Sequence, residues 1–219
     1  MSITRRKFLE VSAAVAVVAA LATALPAGGI VSTALAQVST DELMKPGALP
    51  DQVEGQANAP VTIVEYASMT CSHCAAFHTG TYAAMKARYI DTGKVRYILR
   101  EFPLDPLAAG AFMLARCAGD GKYYPMVDAL FTQQKDWAFV QNPIPNLLKI
   151  AKKFGFTDQS FEQCLSNQKM LDGIEETRQR AAQKFGVNST PTFFINGKMH
   201  RGAMTIEELE KEIQPFLKS

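Results

Sequence analysis

A pair of cysteines two residues apart, Cys71-Ser72-His73-Cys74, stands at the seam between strand-forming and helix-forming sequence. Before it, Val61-Thr62-Ile63-Val64-Glu65-Tyr66 is β-branched and aromatic and predicts a strand. After it, helical sequence runs from Ser72 to about Asp91 and stops at Gly93. A second strand is predicted over Val95–Phe102, ended by Pro103. A β-α-β unit of this kind implies two parallel strands and a right-handed crossover.

The position of the cysteines directs their chemistry. At the start of a helix Cys71 meets unpaired backbone N–H groups and the positive end of the helix dipole, both of which favour thiolate. Two intervening residues let the sulfurs face each other across one turn, so the pair can close into a disulfide. A lone C-x-x-C is also half of a zinc site, but no second C-x-x-C or H-x-x-H follows. A different class of function stays open, a periplasmic copper- or zinc-binding module built on Cys71, Cys74 and either His73 or His78.

Residues 1–36 read as a leader and not as part of the fold. Arg5-Arg6-Lys7 precedes Val11–Leu25, a run of Ala, Val, Leu, Ser and Thr only, and Ala34-Leu35-Ala36 ends it. A basic start, an apolar centre and an A-x-A end describe a signal peptide cleaved after about Ala36. The apolar run is shorter than the ~20 residues a membrane span requires. The paired arginines followed by Phe8-Leu9 resemble a twin-arginine (Tat) export signal. Cleavage removes Arg5, Arg6, Lys7 and Glu10 and leaves a formally neutral chain, which argues against a nucleic-acid partner. Export places the protein in the periplasm, where disulfides persist.

Gln37–Pro60 is polar and turn-rich and reads as a loose arm with at most one short strand near Leu49–Val53. The stretch 105–168 lacks strand signals and predicts helices over Leu107–Cys117, Tyr124–Gln134, Ile144–Phe154 and about Gln159–Ser166. A longer helix follows over Lys169–Phe185. Thr192–Ile195, Asn196-Gly197 and Lys198–Arg201 form a predicted hairpin, and Thr205-Ile206-Glu207-Glu208 is a capping box opening a last helix to about Leu217.

The strand–C-x-x-C–helix unit, the helical stretch between two β-halves and Thr190-Pro191-Thr192-Phe193 before the late strand together resemble the DsbA-type thiol–disulfide oxidoreductases of the thioredoxin superfamily. The resemblance covers residues 50–219. It implies an α/β thioredoxin fold, a central mixed sheet flanked by helices, formed by 37–104 and 169–219 with 105–168 as an all-helical insertion. It also implies that Cys71 is the exposed nucleophile, Cys74 the buried resolving thiol and His73 a residue favouring the Cys71 thiolate. Pro191 matches the family's cis proline, and Thr190 before it would offer backbone groups to an extended substrate. Stabilising the thiolate makes the disulfide a strong oxidant. The favoured activity is oxidation of client cysteines in exported proteins, with a membrane DsbB-type reoxidant, no cofactor and no metal. A reductase or isomerase kept reduced by another partner is the alternative, since Thr190 stands where well-known oxidases carry Val. The short arm leaves no room for a dimerisation domain and suggests a monomer.

Four further readings concern single residues. Glu65 in a strand of apolar neighbours is either a buried acid moving protons near Cys74, as a matching acid does in the family, or an edge-facing residue paired with Lys94 or Arg96. Cys117 and Cys164, both in the insertion, are expected to pair in an oxidising compartment, closing a loop worth roughly 4 kcal/mol. His78 reads as a surface or packing histidine, and His200 as a surface one. Trp137, Phe139 and the insertion's methionines read as core.

Overall fold

The computed structural model describes residues 38–217, so the expected signal peptide, its twin-arginine pair and the cleavage after Ala36 lie outside the described residues. After α1 (Thr40–Met44) and β1 (Gln52–Glu54), β2 (Val61–Ala67) leads into α2 (Ser72–Phe77). The helix runs on through a π turn (His78–Tyr82), α3 (Ala83–Met85) and a second π turn (Lys86–Ile90), and the chain returns as β3 (Val95–Glu101). Five helices follow: α4 (Pro106–Cys117), α5 (Tyr123–Thr132), α6 (Gln134–Trp137), α7 (Pro143–Lys153) and α8 (Asp158–Leu165). The long α9 (Gln168–Phe185), the hairpin β4 (Thr192–Ile195) and β5 (Lys198–Arg201), and α10 (Ile206–Leu217) complete the fold.

The five strands lie in the order β1-β3-β2-β4-β5. β2 and β3 are parallel, as the crossover predicts, and the other pairings are antiparallel. This is the mixed sheet flanked by helices that defines a thioredoxin fold. Period-two alternation divides β2 between two cores. Val61, Ile63 and Ala67 face the larger one with Phe77, Leu99, Phe112, Trp137 and Phe193, whereas Val64 and Tyr66 face a smaller one with Ile98, Phe185 and Phe194. Glu65 shares the parity of Ile63 and Ala67, so its carboxyl enters the larger core beneath the cysteine pair. The long α9 serves both cores, Ile174 in one and Ala181 and Phe185 in the other.

Local chemistry sets the element ends. Asp105 accepts from the Ala108 amide at 2.8 Å with Pro106 in the first turn of α4. Glu208 and Thr205 close the predicted capping box. Asn196 and Gly197 adopt φ of 44° and 84°, the left-handed pair a two-residue hairpin requires. Cys117 at the end of α4 and Cys164 in α8 are joined by a disulfide across a sequence separation of 47.

Three expectations need correction. The arm is docked and not loose: Leu43 is buried in the smaller core, Arg100 donates to its carbonyl at 2.8 Å, and Arg180 donates to the carbonyls of Glu42, Lys45 and Pro46. Backbone acceptors that no local partner satisfies are met by arginines far along the chain, which periodicity does not register. The helix expected to reach Gln134 ends at Thr132, and a separate short helix begins at Gln134. Phe139 is 60% exposed, while Trp137, Met113 and Met126 are core.

Candidate active site

The strand-to-helix turn is held before any chemistry is added. Cys71 is the N-cap of α2, with its N–H donating to Ser68 O and its own carbonyl accepting from Ala75 N. Gln134, buried at the start of α6, donates from Nε2 to Met69 O at 2.8 Å and to Cys71 O at 3.0 Å. Thr70 is tied to Asp105, so the loops after β2 and β3 support one another. Across the turn the Thr190–Pro191 bond is cis, and the Cys71 thiol lies 3.3 Å from Thr190 O. β4 starts directly after it and pairs with β2, which brings residues 119 positions apart in the chain side by side.

The two thiols differ sharply in character. Cys71 is held down to about 5 by a hydrogen bond from the Cys74 thiol, with help from Thr190 and from the backbone N–H groups of Cys74 and His73, against the opposing effect of burial. Cys74 is fully buried and pushed well up, first by desolvation, then by its bond to Cys71 and by the charge of Glu65. At neutral pH the resting reduced pair is therefore a Cys71 thiolate beside a Cys74 thiol. The first sulfur is ready to attack or to leave, and the second must lose its proton before it can do either.

Beneath Cys74 the core is polar in one place. Glu65 is fully buried; its Oε2 accepts from the Tyr97 hydroxyl and lies 3.3 Å from His78 Nε2, whereas its Oε1 has no hydrogen-bond partner. His78 is stacked on Phe131 with ring centroids 4.3 Å apart and packs against Tyr82. The Tyr82 hydroxyl in turn donates to Glu54. The metal reading does not fit this arrangement. His78 Nε2 is turned to Glu65, and among the described residues no three His, Cys, Asp or Glu groups stand together as a metal site.

The sequence profile of the Thioredoxin family matches residues 48–215. The chain superposes on Wolbachia pipientis alpha-DsbA1 with a TM-score of 0.75 and 32% identity, over 81% of this chain and 96% of that one. The chain belongs to the DsbA-type thiol–disulfide oxidoreductases. A candidate protein-disulfide oxidoreductase of Rickettsia typhi is 34% identical over 67% of this chain and 55% of its own length. This DsbA-type chain thus spans little more than half of that curated relative. Bacillus subtilis BdbD, at 21% identity and a TM-score of 0.67, shares the fold.

Within this DsbA-type framework the residues singled out from sequence fall as follows. Cys71, Cys74, Thr190 and Pro191 come together at one end of the sheet. Cys71 is only 8% exposed, so the nucleophile is a narrow opening and not a protruding group. The His73 side chain is exposed, and its backbone N–H is the part that reaches the Cys71 sulfur. Glu65 is on the central strand and pairs with His78 and Tyr97; the edge-facing alternative with Lys94 or Arg96 is wrong, because β2 has a neighbour on both sides. His78 is buried, which matches the packing alternative, whereas His200, read as a surface residue, is half-buried with its side chain 17% exposed beside Glu212. Gln134 went unnoticed because a glutamine in helical sequence carries no signal of its own. Tyr97 was readable in principle: the parallel register sets Glu65 opposite Leu99, and Tyr97 lies two residues along the same face.

Proposed function

We propose that this protein is a periplasmic oxidase that donates the Cys71–Cys74 disulfide to cysteines of exported proteins. The observation that carries the reading is the asymmetry of the pair, a Cys71 thiol held to about 5 beside a fully buried Cys74 whose thiol is pushed well up. A client thiolate attacks Cys71, Cys74 leaves and takes a proton, and a second client thiolate displaces Cys71 as a stable thiolate. Holding the leaving thiol near 5 rather than ~8.5 favours the reduced protein by roughly 3 kcal/mol at pH 7 and by at most about 5 kcal/mol above pH 8.5, which drives oxidation of the client. The cis Thr190–Pro191 segment beside Cys71 is placed to pair with an extended client backbone. Glu65 is the buried acid that exchanges the proton of Cys74. Supporting the location is the leader-like sequence of residues 1–36. A membrane DsbB-type protein would restore the disulfide, and the protein would act as a monomer.

The reduction potential of the pair, by equilibration with glutathione and alkylation of Cys71, tests the direction. A value toward ~−120 mV supports the oxidase. A value toward ~−270 mV, about 7 kcal/mol less oxidising, makes the protein a reductant or isomerase kept reduced by another partner.

A further inference from the structure

Thr192, Tyr66 and Arg100 are register partners and form one row across β4, β2 and β3. Three segments lie just beyond this row, at one end of the sheet: the cis Thr190–Pro191 bond, the turn 68–71 and the loop 102–106. Cys71 therefore stands between the cis peptide on one side and the loop of Leu104 on the other. That loop is tied to the turn directly. Leu104 N donates to Ser68 Oγ at 3.2 Å, and the Thr70 hydroxyl donates to Asp105 Oδ2 at 2.5 Å. Between the loop and the first half of α9 runs a groove of about 580 Å³, within the size range of clefts that hold a ligand. Leu104, Ala109 and Leu171 give it an apolar lining, and Leu104 is 55% exposed. The charges along its rim do not cancel. Arg178 is held by the Glu175 carboxylate, so that pair is neutral. Asp105 caps α4, whose amides and dipole take up much of its charge. Asp172 is exposed and accepts from the Gln168 amide at 2.7 Å, with no cation in ion-pair contact among the described residues.

We infer that this groove binds the client segment next to the cysteine being oxidised, and that it selects an apolar side chain with a lysine or arginine beside it. The inference rests on the oxidase reading above and adds a substrate preference to it. An extended client that pairs with the backbone at Thr190 and sets its cysteine on Cys71 meets, as the next loop in the row, the wall of the groove. Its apolar side chain leaves water against Leu104, Ala109 and Leu171. The cation beside it faces Asp172, whose charge no other residue of the rim offsets. Continuity with the Cys71 turn argues for a client here and not for a second copy of this chain, which has no such link to the cysteine pair.

The test uses the oxidised full chain and synthetic peptides that each carry two cysteines. Oxidation of a peptide passes two electrons and two protons from its thiols to the Cys71–Cys74 disulfide, and acid quench with alkylation follows the rate. Leu-Arg, Leu-Glu or Ser-Arg is placed before the first cysteine or after the second. Leu-Arg should react about tenfold faster than Leu-Glu on one side and within about twofold on the other, because the groove flanks Cys71 on one side only. In ~1 M salt, where the screening length is about 3 Å, the tenfold ratio should shrink to about twofold. Asp172→Lys should bring that ratio to about one or below, whereas a merely structural disturbance would slow both peptides alike. Leu-Arg should also outpace Ser-Arg by about tenfold, an advantage that Leu104→Ser removes. Both substituted side chains are exposed, so neither change threatens the fold. Equal wild-type rates for all the peptides overturn the inference and leave the oxidase reading standing. A charge preference that survives Asp172→Lys overturns it too. A wild-type chain that sediments as a dimer, and as a monomer after Leu104→Ser, gives the groove to a second copy and likewise overturns it. Failure of the wild type to oxidise any peptide removes the oxidase reading itself, and this inference with it.

Discussion

Cys71 owes its acidity to hydrogen bonds aimed at one sulfur and not to a neighbouring cation. The donors are the Cys74 thiol, Thr190 and the amides of His73 and Cys74. Ultraviolet absorbance of the thiolate should therefore titrate near 5 in the reduced protein. The Thr190 hydroxyl is buried with no partner beside the neutral thiol, which leaves it free to donate once Cys71 ionises. Thr190→Val should raise the midpoint by about one pH unit, the worth of one hydrogen bond to a charged group. His73→Ala should move it by less than about half a unit, because the side chain is exposed and the amide remains. A large His73 effect would return the imidazole to the role that sequence reasoning assigned it. Residue type and spacing pointed to Cys71 and Cys74, and the family resemblance added Pro191, whose peptide bond is cis. For His73, sequence does not distinguish the side chain from the amide it hangs on, and the amide is the part that reaches the Cys71 sulfur.

Short elements at the edges of the sheet decide how rigid the site is. α6 is four residues long, yet its first side chain holds the carbonyls of Met69 and Cys71. Gln134→Ala should destabilise the protein by roughly 1–3 kcal/mol in urea unfolding and slow glutathione exchange, since two loop carbonyls lose a donor. At the other face of the same loop system, Glu101 at the end of β3 is fully buried and held by Arg116 of α4 at 2.6 Å and by the Tyr123 hydroxyl of α5 at 3.0 Å. Arg116→Met leaves that carboxylate without its charge partner and should cost about 3–5 kcal/mol by the same measurement, with recovery when Glu101 is also replaced by Gln. The helices of residues 105–168 were legible from composition, breaks and caps. That Gln134 braces the cysteine turn and Arg116 holds the end of β3 was not, because neither residue carries a signal until the turn and the sheet stand beside it.

At the scale of the molecule, the active-site thiolate couples redox state to stability. In the reduced protein Cys71 ionises near 5, whereas in the unfolded chain it ionises near ~8.5. Between these values the unfolded chain binds the extra proton, so stability of the reduced form rises with pH at about 1.4 kcal/mol per unit, to at most about 5 kcal/mol. The gain is complete by about pH 8.5 and is lost as pH falls toward 5; Cys74, which ionises only when unfolded, reverses the slope above that. Urea unfolding of reduced wild type against reduced Cys71→Ser should show this difference, and parallel curves would mean that the thiolate is not stabilised. The sequence by itself determined the β-α-β unit, the helical run after it, the hairpin and the cysteine pair at a helix start, because each is written in neighbours a few residues apart. Only the tertiary structure decided what the pair can do. It set Thr190 against Cys71 across 119 residues, buried Glu65 on a central strand with His78 and Tyr97, and docked the arm on Arg100 and Arg180. Burial and hydrogen bonding set proton affinities, and both are properties of what surrounds a group in space, not of what precedes it in the chain.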